Sequence, residues 1–202
     1  MAAHTIRDNV LAVSGLLVEK VGGPSVKPYQ PPGLWADFSF GKIKYTQDSG
    51  DALYRRSLYT FWRRSLSPPN MFDEANRQTC EVRTKRTNTP LHALTLLNDI
   101  TFVEAARVFA ESLILESKQD SDRFQRAFQR ALSRSPTSAE ITLMNNIVTL
   151  SRKHYQQKPE EASELLSVGE SVPDNSVEAV ELAAFTNLAN IIFNTDEFIS
   201  KE

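Results

Sequence analysis

Apolar residues recur along most of this chain at intervals of three and four. Near the N-terminus, Ile6, Val10, Val13 and Leu17 show this spacing. Because an α-helix repeats every 3.6 residues and a strand every two, the spacing predicts helices. No segment alternates apolar and polar residues over the length of a strand. The sequence therefore predicts an all-α fold, an irregular helical domain of about seven helices.

Helix-breaking and helix-starting signals separate the predicted helices. Gly22-Gly23 and Pro24 are predicted to end the first helix. Thr137, three residues before Glu140, fits a capping box at the start of another. The segments with a helical period are residues 5–20, 51–65, 122–133, 137–154 and 177–193, with a short helix at 161–166.

Residues 22–50 combine prolines with aromatic side chains. Four of the ten prolines lie between Pro24 and Pro32. The aromatic residues of this segment include Tyr29, Trp35, Phe38 and Phe40. The segment is too rich in proline for a helix and too aromatic for a solvated linker. Two interpretations stay open: an extended arm packed on the helical body by its rings, or an aromatic platform for a sugar or a proline-rich partner.

The stretch TNTPLHALTLL contains clear signals for a helix start. Thr89 is a good N-cap residue, and Pro90 is a good first helical residue. Leu91, Leu94 and Leu97 then repeat in steps of three, which predicts that the helix buries this face.

A break is predicted soon afterwards, at Asn98 and Asp99. Short polar residues followed by β-branched Ile100 and Thr101 are poor in a helix interior and good at a helix start. Asp99 or Thr101 is therefore predicted to cap a second helix that runs through Leu113. The alternative is one continuous helix.

Charge is distributed unevenly, although the net charge is only −2. Residues 52–90 contain eight Arg or Lys and three Asp or Glu, a balance of +5, whereas residues 104–202 contain ten and sixteen, a balance of −6. Because a helix N-terminus is itself positive, the bases just before Pro90 need a negative counterpart. Asp73, Glu74 and Glu81 or an external anion could supply it.

Two sets of residues follow from this charge distribution. The predicted anion- or partner-binding residues are Arg55, Arg56, Arg63, Arg83, Lys85, Arg86 and Thr89. The predicted structural motif around the loop and the helix start consists of Asp73, Arg77, Asn88, Pro90, Asn98 and Asp99.

The sequence contains no motif for nucleotide binding, zinc proteolysis or serine hydrolysis. Its three histidines, His4, His92 and His154, lie on separate predicted elements, and the single cysteine, Cys80, permits no intrachain disulfide. No metal site or cofactor is predicted in this chain. The acidic second half disfavours a nucleic-acid partner, and no apolar run is long enough for a membrane helix. A binding role is therefore favoured over a catalytic one.

Three long pieces of the sequence resemble a known bacterial family. They are residues 6–35, residues 54–99 and residues 181–202, and the most specific parts are RTNTPL and LND. Together they are similar, in the same order, to the planctomycete-specific C-terminal domain of unknown function, also called planctomycete-specific domain one. The resemblance covers nearly the whole chain.

The resemblance implies an architecture and a location but no reaction. In that family the domain usually follows another domain of unknown function, and often a cytochrome c-like domain stands at the N-terminal end. The chain is then expected to be the C-terminal part of a larger exported, extracytoplasmic or periplasmic protein, with haem only on a separate upstream domain. A single helical domain is expected over residues 1–202, with an arm at 22–50, a basic loop at 66–88 and a polar linker at 155–176.

Two functions are compatible with these observations, and the family architecture alone implies a third, an accessory role in electron transfer without haem in this chain. The first is a helical interaction or accessory module, whose Arg-rich region binds an upstream domain, an acidic protein or an acidic polysaccharide. The second is part of an enzyme acting on acidic saccharides. In that case Arg55, Arg83 and Arg86 would hold anionic groups, and Asp73 or Asp99 would act as a base.

Overall fold

A computed structural model describes residues 1–63, 66–73, 82 and 89–200. Within these residues the chain forms nine α-helices and no β-strand, which confirms the predicted all-α fold. The helices are α1 (Ala3–Ser14), α2 (Leu34–Ser39), α3 (Pro90–Asn98), α4 (Ile100–Glu116), α5 (Asp120–Leu132), α6 (Ser138–Gln157), α7 (Pro159–Leu166), α8 (Ala179–Phe193) and α9 (Asp196–Ile199). Two short 3₁₀ helices cover Gly50–Tyr54 and Ser57–Tyr59.

The core is built around α4 and α8. These two helices pack against each other, while α6 and α7 cover α8 and α1 covers α4. Both central helices are apolar on most sides, so they are stable only when neighbours surround them. Phe109 of α4 stacks on Phe193 of α8 with 5.5 Å between ring centroids. Burial of such side chains supplies the main driving force for folding.

The break between α3 and α4 follows the signals in the sequence. α3 begins at Pro90, and Thr89 has the extended conformation of an N-cap residue, although its side chain forms no capping hydrogen bond. At the start of α4 the Asp99 carboxylate accepts a hydrogen bond from the Thr101 N–H at 3.0 Å. The predicted break with Asp99 as the cap is therefore confirmed.

The helix predicted over residues 51–65 is wrong. Over its described part, residues 51–63, only the two 3₁₀ helices form, and isolated bridges join this part to Val18 and Val26. Distant donors occupy backbone carbonyls that a continuous helix would use. The Val18 N–H binds the Tyr54 carbonyl at 3.1 Å, and the Val26 N–H binds the Tyr59 carbonyl at 2.8 Å. Tertiary pairing here overrides the local preference for a helix.

α1 is shorter than predicted. The spacing predicts a helix to residue 20, but α1 ends at Ser14. Gly15 follows with a φ of 85°, a left-handed conformation that glycine adopts at little cost. Leu16 and Leu17 lie beyond this end and still pack against the buried clusters, so their apolar character does not require a helix.

The arm at residues 22–50 packs on the body through some of its rings. Tyr29 and Trp35 are buried, as the packed-arm interpretation expects, whereas Phe38 and Phe40 are exposed. The prediction that this segment contains no helix is wrong in one place, since α2 forms within it. The helix is possible because it begins only after the cluster of prolines has ended.

An ion-pair cluster ties the start of α6 to α9. Thr137 and Glu140 form the predicted capping box. Arg134 Nη2 lies 2.7 Å from Glu140 Oε1 and 2.7 Å from Glu197 Oε2. The hydrogen bond from Arg134 is the largest reason why the pKa of Glu140 falls to about 2.

The Glu140→Gln variant should show a pH-dependent loss of stability. The Glu140 carboxyl has a pKa of about 2 in the folded protein against an ordinary value of 4.5. Its ion pair therefore stabilises the native state above the ordinary pKa, and this contribution is lost as the pH falls toward the folded pKa. Gln can keep the capping hydrogen bond through its single amide oxygen, while it loses the charge and the second oxygen that accepts from Arg134. Thermal unfolding midpoints of the two proteins should differ at neutral pH and converge in strong acid; a constant difference would contradict this.

Candidate interaction surface and neighbouring cavity

α3 presents three leucines to solvent. Leu91, Leu94 and Leu97 are 67%, 56% and 41% exposed, so the prediction that this face is buried is wrong. Leu96 is the residue of α3 that enters the core, with 3% exposure. The reason is that α4 and α8 cover α3 from one side, the side of Leu96. Residues three apart lie on the same side of a helix, so the exposed leucines form a stripe, here called the leucine face.

The leucine face is held in place from behind. Asn190 of α8 donates a hydrogen bond from Nδ2 to the Leu97 carbonyl at 3.1 Å. His92 stacks on Phe72 with 4.0 Å between ring centroids, and its Nε2 lies 3.9 Å from Oδ1 of Asp73. Because α3 is anchored at both ends, the exposed leucines keep a fixed position on the body.

Three arginines of the predicted binding set lie in different environments. Arg55 is only 5% exposed, and its Nη1 and Nη2 donate to three backbone carbonyls of the segment after α1. Its guanidinium also lies 3.8 Å from the centre of the Tyr59 ring. Arg55 therefore has a structural role, since it holds the segment after α1 against the Tyr59 region. Arg56 and Arg63 are exposed, and Arg56 Nε donates to Asp8 Oδ2 at 3.1 Å.

The described part of the predicted structural motif surrounds α3. Pro90 and Asn98 are its first and last residues, and Asp73 lies near His92. Asp99 caps α4 and also accepts a hydrogen bond from Asn70 Nδ2 at 3.3 Å, while burial raises the pKa of its carboxyl. The other predicted residues, Arg77, Arg83, Lys85, Arg86 and Asn88, lie outside the described residues, as do Glu74, Cys80 and Glu81.

A cavity of about 340 Å³ lies between α1 and the segment at residues 56–71. α1 contributes two ionisable side chains, His4 and Asp8, which point to the same side because they are four residues apart. The residues that line the cavity are His4, Asp8, Arg56, Ser57, Leu58, Thr60, Trp62 and Met71. Charged, hydroxyl and apolar groups therefore meet in one concave surface.

Among the described residues, two fully buried charged centres were not predicted, and the first is Arg7. Its side chain is fully buried, and it donates to the Leu53 and Arg55 carbonyls at 2.8 and 2.9 Å and to Ser57 Oγ at 3.2 Å. Desolvation lowers the pKa of Arg7, and the neighbouring Asp8 carboxylate opposes this shift. Arg7 thereby holds one wall of the cavity on α1.

The second buried centre is Glu104 on α4. Its Oε1 accepts hydrogen bonds from the N–H groups of Glu170 and Ser171 at 2.8 and 2.7 Å, and from the Tyr54 and Ser171 hydroxyls at 2.8 and 2.7 Å. Arg107, one turn further along, donates to the Ser171 carbonyl. Burial is the main cause that raises the pKa of Tyr54 to about 12. These bonds fasten the loop between α7 and α8 to the core.

A sequence signal for both centres exists, because each charge interrupts an apolar helix face. Arg7 follows Ile6 and lies three residues before Val10, on the buried side of α1. Glu104 and Arg107 lie within the most apolar part of α4. A charged residue in such a position is buried only if it finds partners, so these residues were candidates for buried polar contacts.

Two further features of the described part of the chain bear on membranes and on metal ions. No helix there is both long and apolar enough to cross a membrane. No group of three or more His, Cys, Asp or Glu side chains there is arranged to hold a metal ion. The fold and these surfaces define an all-α domain that presents a leucine face and a mixed polar cavity.

The chain belongs to the PSD1 family, described as a protein of unknown function (DUF1553), whose family model matches residues 1–148. This is the planctomycete-specific domain that the pieces at residues 6–35 and 54–99 resemble, whereas the third piece, residues 181–202, lies beyond the matched residues. Comparison with curated proteins and with solved structures gives no match. The matched residues end inside α6, and α8, which packs on α4, lies beyond them.

Proposed function

We propose that this domain is a helical interaction module that binds an acidic, amphipathic protein surface. The leucine face supplies the apolar contact, and the basic residues that precede α3 in the sequence supply the charge. The family resemblance suggests that the module belongs to an exported multidomain bacterial protein. An upstream domain of that protein is the natural source of the acidic surface.

The exposed leucine face is the observation that carries this proposal. Its three leucines expose 67%, 56% and 41% of their surface on an anchored helix. Exposed apolar patches on the surface of a folded domain often mark sites of interaction with another molecule. An amphipathic partner helix would bury these side chains, and each fully buried leucine contributes on the order of 1.5–3 kcal/mol.

The charge of the sequence that precedes α3 supports an acidic partner. Residues 52–90 carry a balance of +5, and Arg56 and Arg63 within them are exposed. The sequence places Arg83, Lys85 and Arg86 just before the N-cap residue of α3. Complementary charge of this kind accelerates association and makes it sensitive to salt.

Two of the residues that the enzymatic alternative requires, Arg55 and Asp99, have structural roles. Arg55 is buried, and its Nη groups bind backbone carbonyls. Asp99 caps α4 and also accepts a hydrogen bond from Asn70. Neither side chain is placed for substrate binding or for proton transfer, so a binding role is preferred.

Binding can be measured with a synthetic acidic helix as the probe. The peptide carries leucines on one helical face and glutamates on the other, with a fluorescent label for anisotropy measurements at low salt. The Leu91→Ser/Leu94→Ser variant is expected to bind at least about tenfold more weakly, since two apolar contacts are lost. Raising the salt concentration should weaken binding by the native protein as well.

A matched control is available on α6. Leu143 and Leu150 are 59% and 68% exposed, close to the values of the leucine face, but they lie on another helix. The Leu143→Ser/Leu150→Ser variant should therefore bind the peptide like the native protein. Equal losses in both variants, or no binding of the acidic peptide at low salt, would refute the proposed module. A peptide with lysines in place of glutamates should bind more weakly.

A further inference from the structure

The cavity between α1 and residues 56–71 has the composition of a ligand site. Its volume of about 340 Å³ lies in the lower part of the range for small-molecule pockets. Empty cavities inside proteins are lined by apolar groups, whereas this one combines charged and hydroxyl side chains with apolar and aromatic ones. We propose that it binds a small ring compound that carries one carboxylate and at least one hydroxyl group.

Arg56 supplies the donors for the carboxylate. Its side chain is 60% exposed, and Nε donates to Asp8 Oδ2 at 3.1 Å. Within the described residues, no hydrogen bond or ion pair engages its two Nη groups. A guanidinium held in this way at Nε offers a pair of N–H donors, and this geometry matches the two oxygens of a carboxylate.

The fixed charges at this wall are grouped around Asp8. Asp8 accepts the Ser57 N–H at 2.7 Å through Oδ1 and the Arg56 Nε through Oδ2. On the buried side, Arg7 Nη1 lies 4.0 Å from Asp8 Oδ1. The guanidinium groups of Arg7 and Arg56 thus both lie beside the Asp8 carboxylate, one on its buried side and one on its exposed side.

The remaining walls suit a ring with a hydroxyl group. Trp62, Leu58 and Met71 offer an apolar surface for a flat or saturated ring. Thr60 Oγ1 is buried, and it has no hydrogen-bond partner among the described residues. Buried hydroxyl groups are normally satisfied, so a ligand hydroxyl at this position would complete the site.

Two kinds of compound have this chemistry, namely uronic acids and hydroxylated aromatic acids. D-glucuronate and 4-hydroxybenzoate represent them as probes. D-glucose, which lacks the carboxylate, and benzoate, which lacks the hydroxyl, test the two recognition elements separately. The acid that binds more tightly shows whether the ligand belongs to the uronic acids or to the hydroxylated aromatic acids.

The indole N–H signals provide a direct readout by NMR on the full chain. The protein has two tryptophans, Trp35 and Trp62, and Trp62→Phe assigns their signals. Titration with the better acid should shift the Trp62 signal with a Kd on the order of 0.1–1 mM. Arg56→Gln should weaken this binding at least about tenfold. The control Arg126→Gln, an exposed arginine on α5 that is absent from the cavity lining, should leave it unchanged.

Thr60→Val tests the hydroxyl contact without changing the size of the side chain. In this variant 4-hydroxybenzoate should lose any advantage over benzoate, while benzoate itself binds as before. The proposal is overturned if neither acid shifts the Trp62 signal, if Arg56→Gln binds as well as the native protein, or if D-glucose binds as tightly as D-glucuronate.

Discussion

Replacing Gly169 with alanine is expected to lower the free energy of unfolding by about 3–5 kcal/mol. Two separate effects contribute to this loss. Gly169 has a φ of +93°, a conformation that strains any residue with a Cβ atom. The added Cβ would also lie 2.5 Å from Oε1 of Glu104 and closer still to its Cδ, well inside van der Waals contact.

Glu104 cannot move aside without a large cost. Its side chain is fully buried, and Oε1 accepts four hydrogen bonds, two of them from backbone N–H groups of the loop after Gly169. A shift of the carboxylate would break some of these bonds in a site that water does not reach. Leaving a buried charge with fewer partners is strongly destabilising.

A second glycine separates the two effects. Gly41 has a φ of +77°, but a Cβ there would meet nothing within 4 Å. Gly41→Ala is therefore expected to cost about 1–2 kcal/mol, from backbone strain alone. Urea unfolding of both variants, followed by circular dichroism, gives the comparison. If the two variants lost equal stability, the close approach of Gly169 to Glu104 would have no energetic role.

Signals that act over a few residues predicted the structure well. Asp99 caps α4 because a short carboxylate reaches the free N–H groups of the first turn, whatever the rest of the fold does. Thr137 and Glu140 form their capping box for the same reason. In both cases the donor and the acceptor are close in sequence, so the residue types favour the contact. They do not guarantee it, because Thr89 has the backbone of an N-cap residue but forms no capping hydrogen bond.

Contacts between distant segments could not be predicted in this way. Residues 51–65 have the apolar spacing of a helix, yet Val18 and Val26 bind the backbone of this segment. Nothing within the segment indicates that these partners exist. The competition between a local helix and a distant partner is decided by the whole fold, so the local pattern gave the wrong structure.

The leucine face shows a different limit of sequence reasoning. The spacing of Leu91, Leu94 and Leu97 correctly identifies a stripe on one side of α3. It does not say whether the cover for that stripe comes from the same chain. The body of the domain meets α3 on the side of Leu96 instead. This is the physical reason why a predicted core face became a candidate interaction surface.

Replacing Arg7 with methionine is expected to lower the free energy of unfolding by about 3–5 kcal/mol. Methionine fills a similar volume, so the loss comes from polar contacts rather than from a cavity. Arg7 donates to the carbonyls of Leu53 and Arg55 and to Ser57 Oγ. In the variant these acceptors lose their donor in a buried place, and the adjacent Asp8 loses a nearby positive charge.

Two further variants distinguish this role of Arg7 from general effects of charge. Arg56→Met removes a neighbouring arginine whose side chain is 60% exposed, and it should change stability by no more than about 1 kcal/mol. Arg7→Lys keeps the charge, but a single ammonium group cannot reproduce donors directed at separate carbonyls, so a large part of the loss should remain. Urea unfolding measures all three variants, and amide exchange at residues 53–57 should accelerate in both Arg7 variants, since Arg7 holds this segment on α1. Native-like stability of Arg7→Met would show that the segment is held by its other contacts.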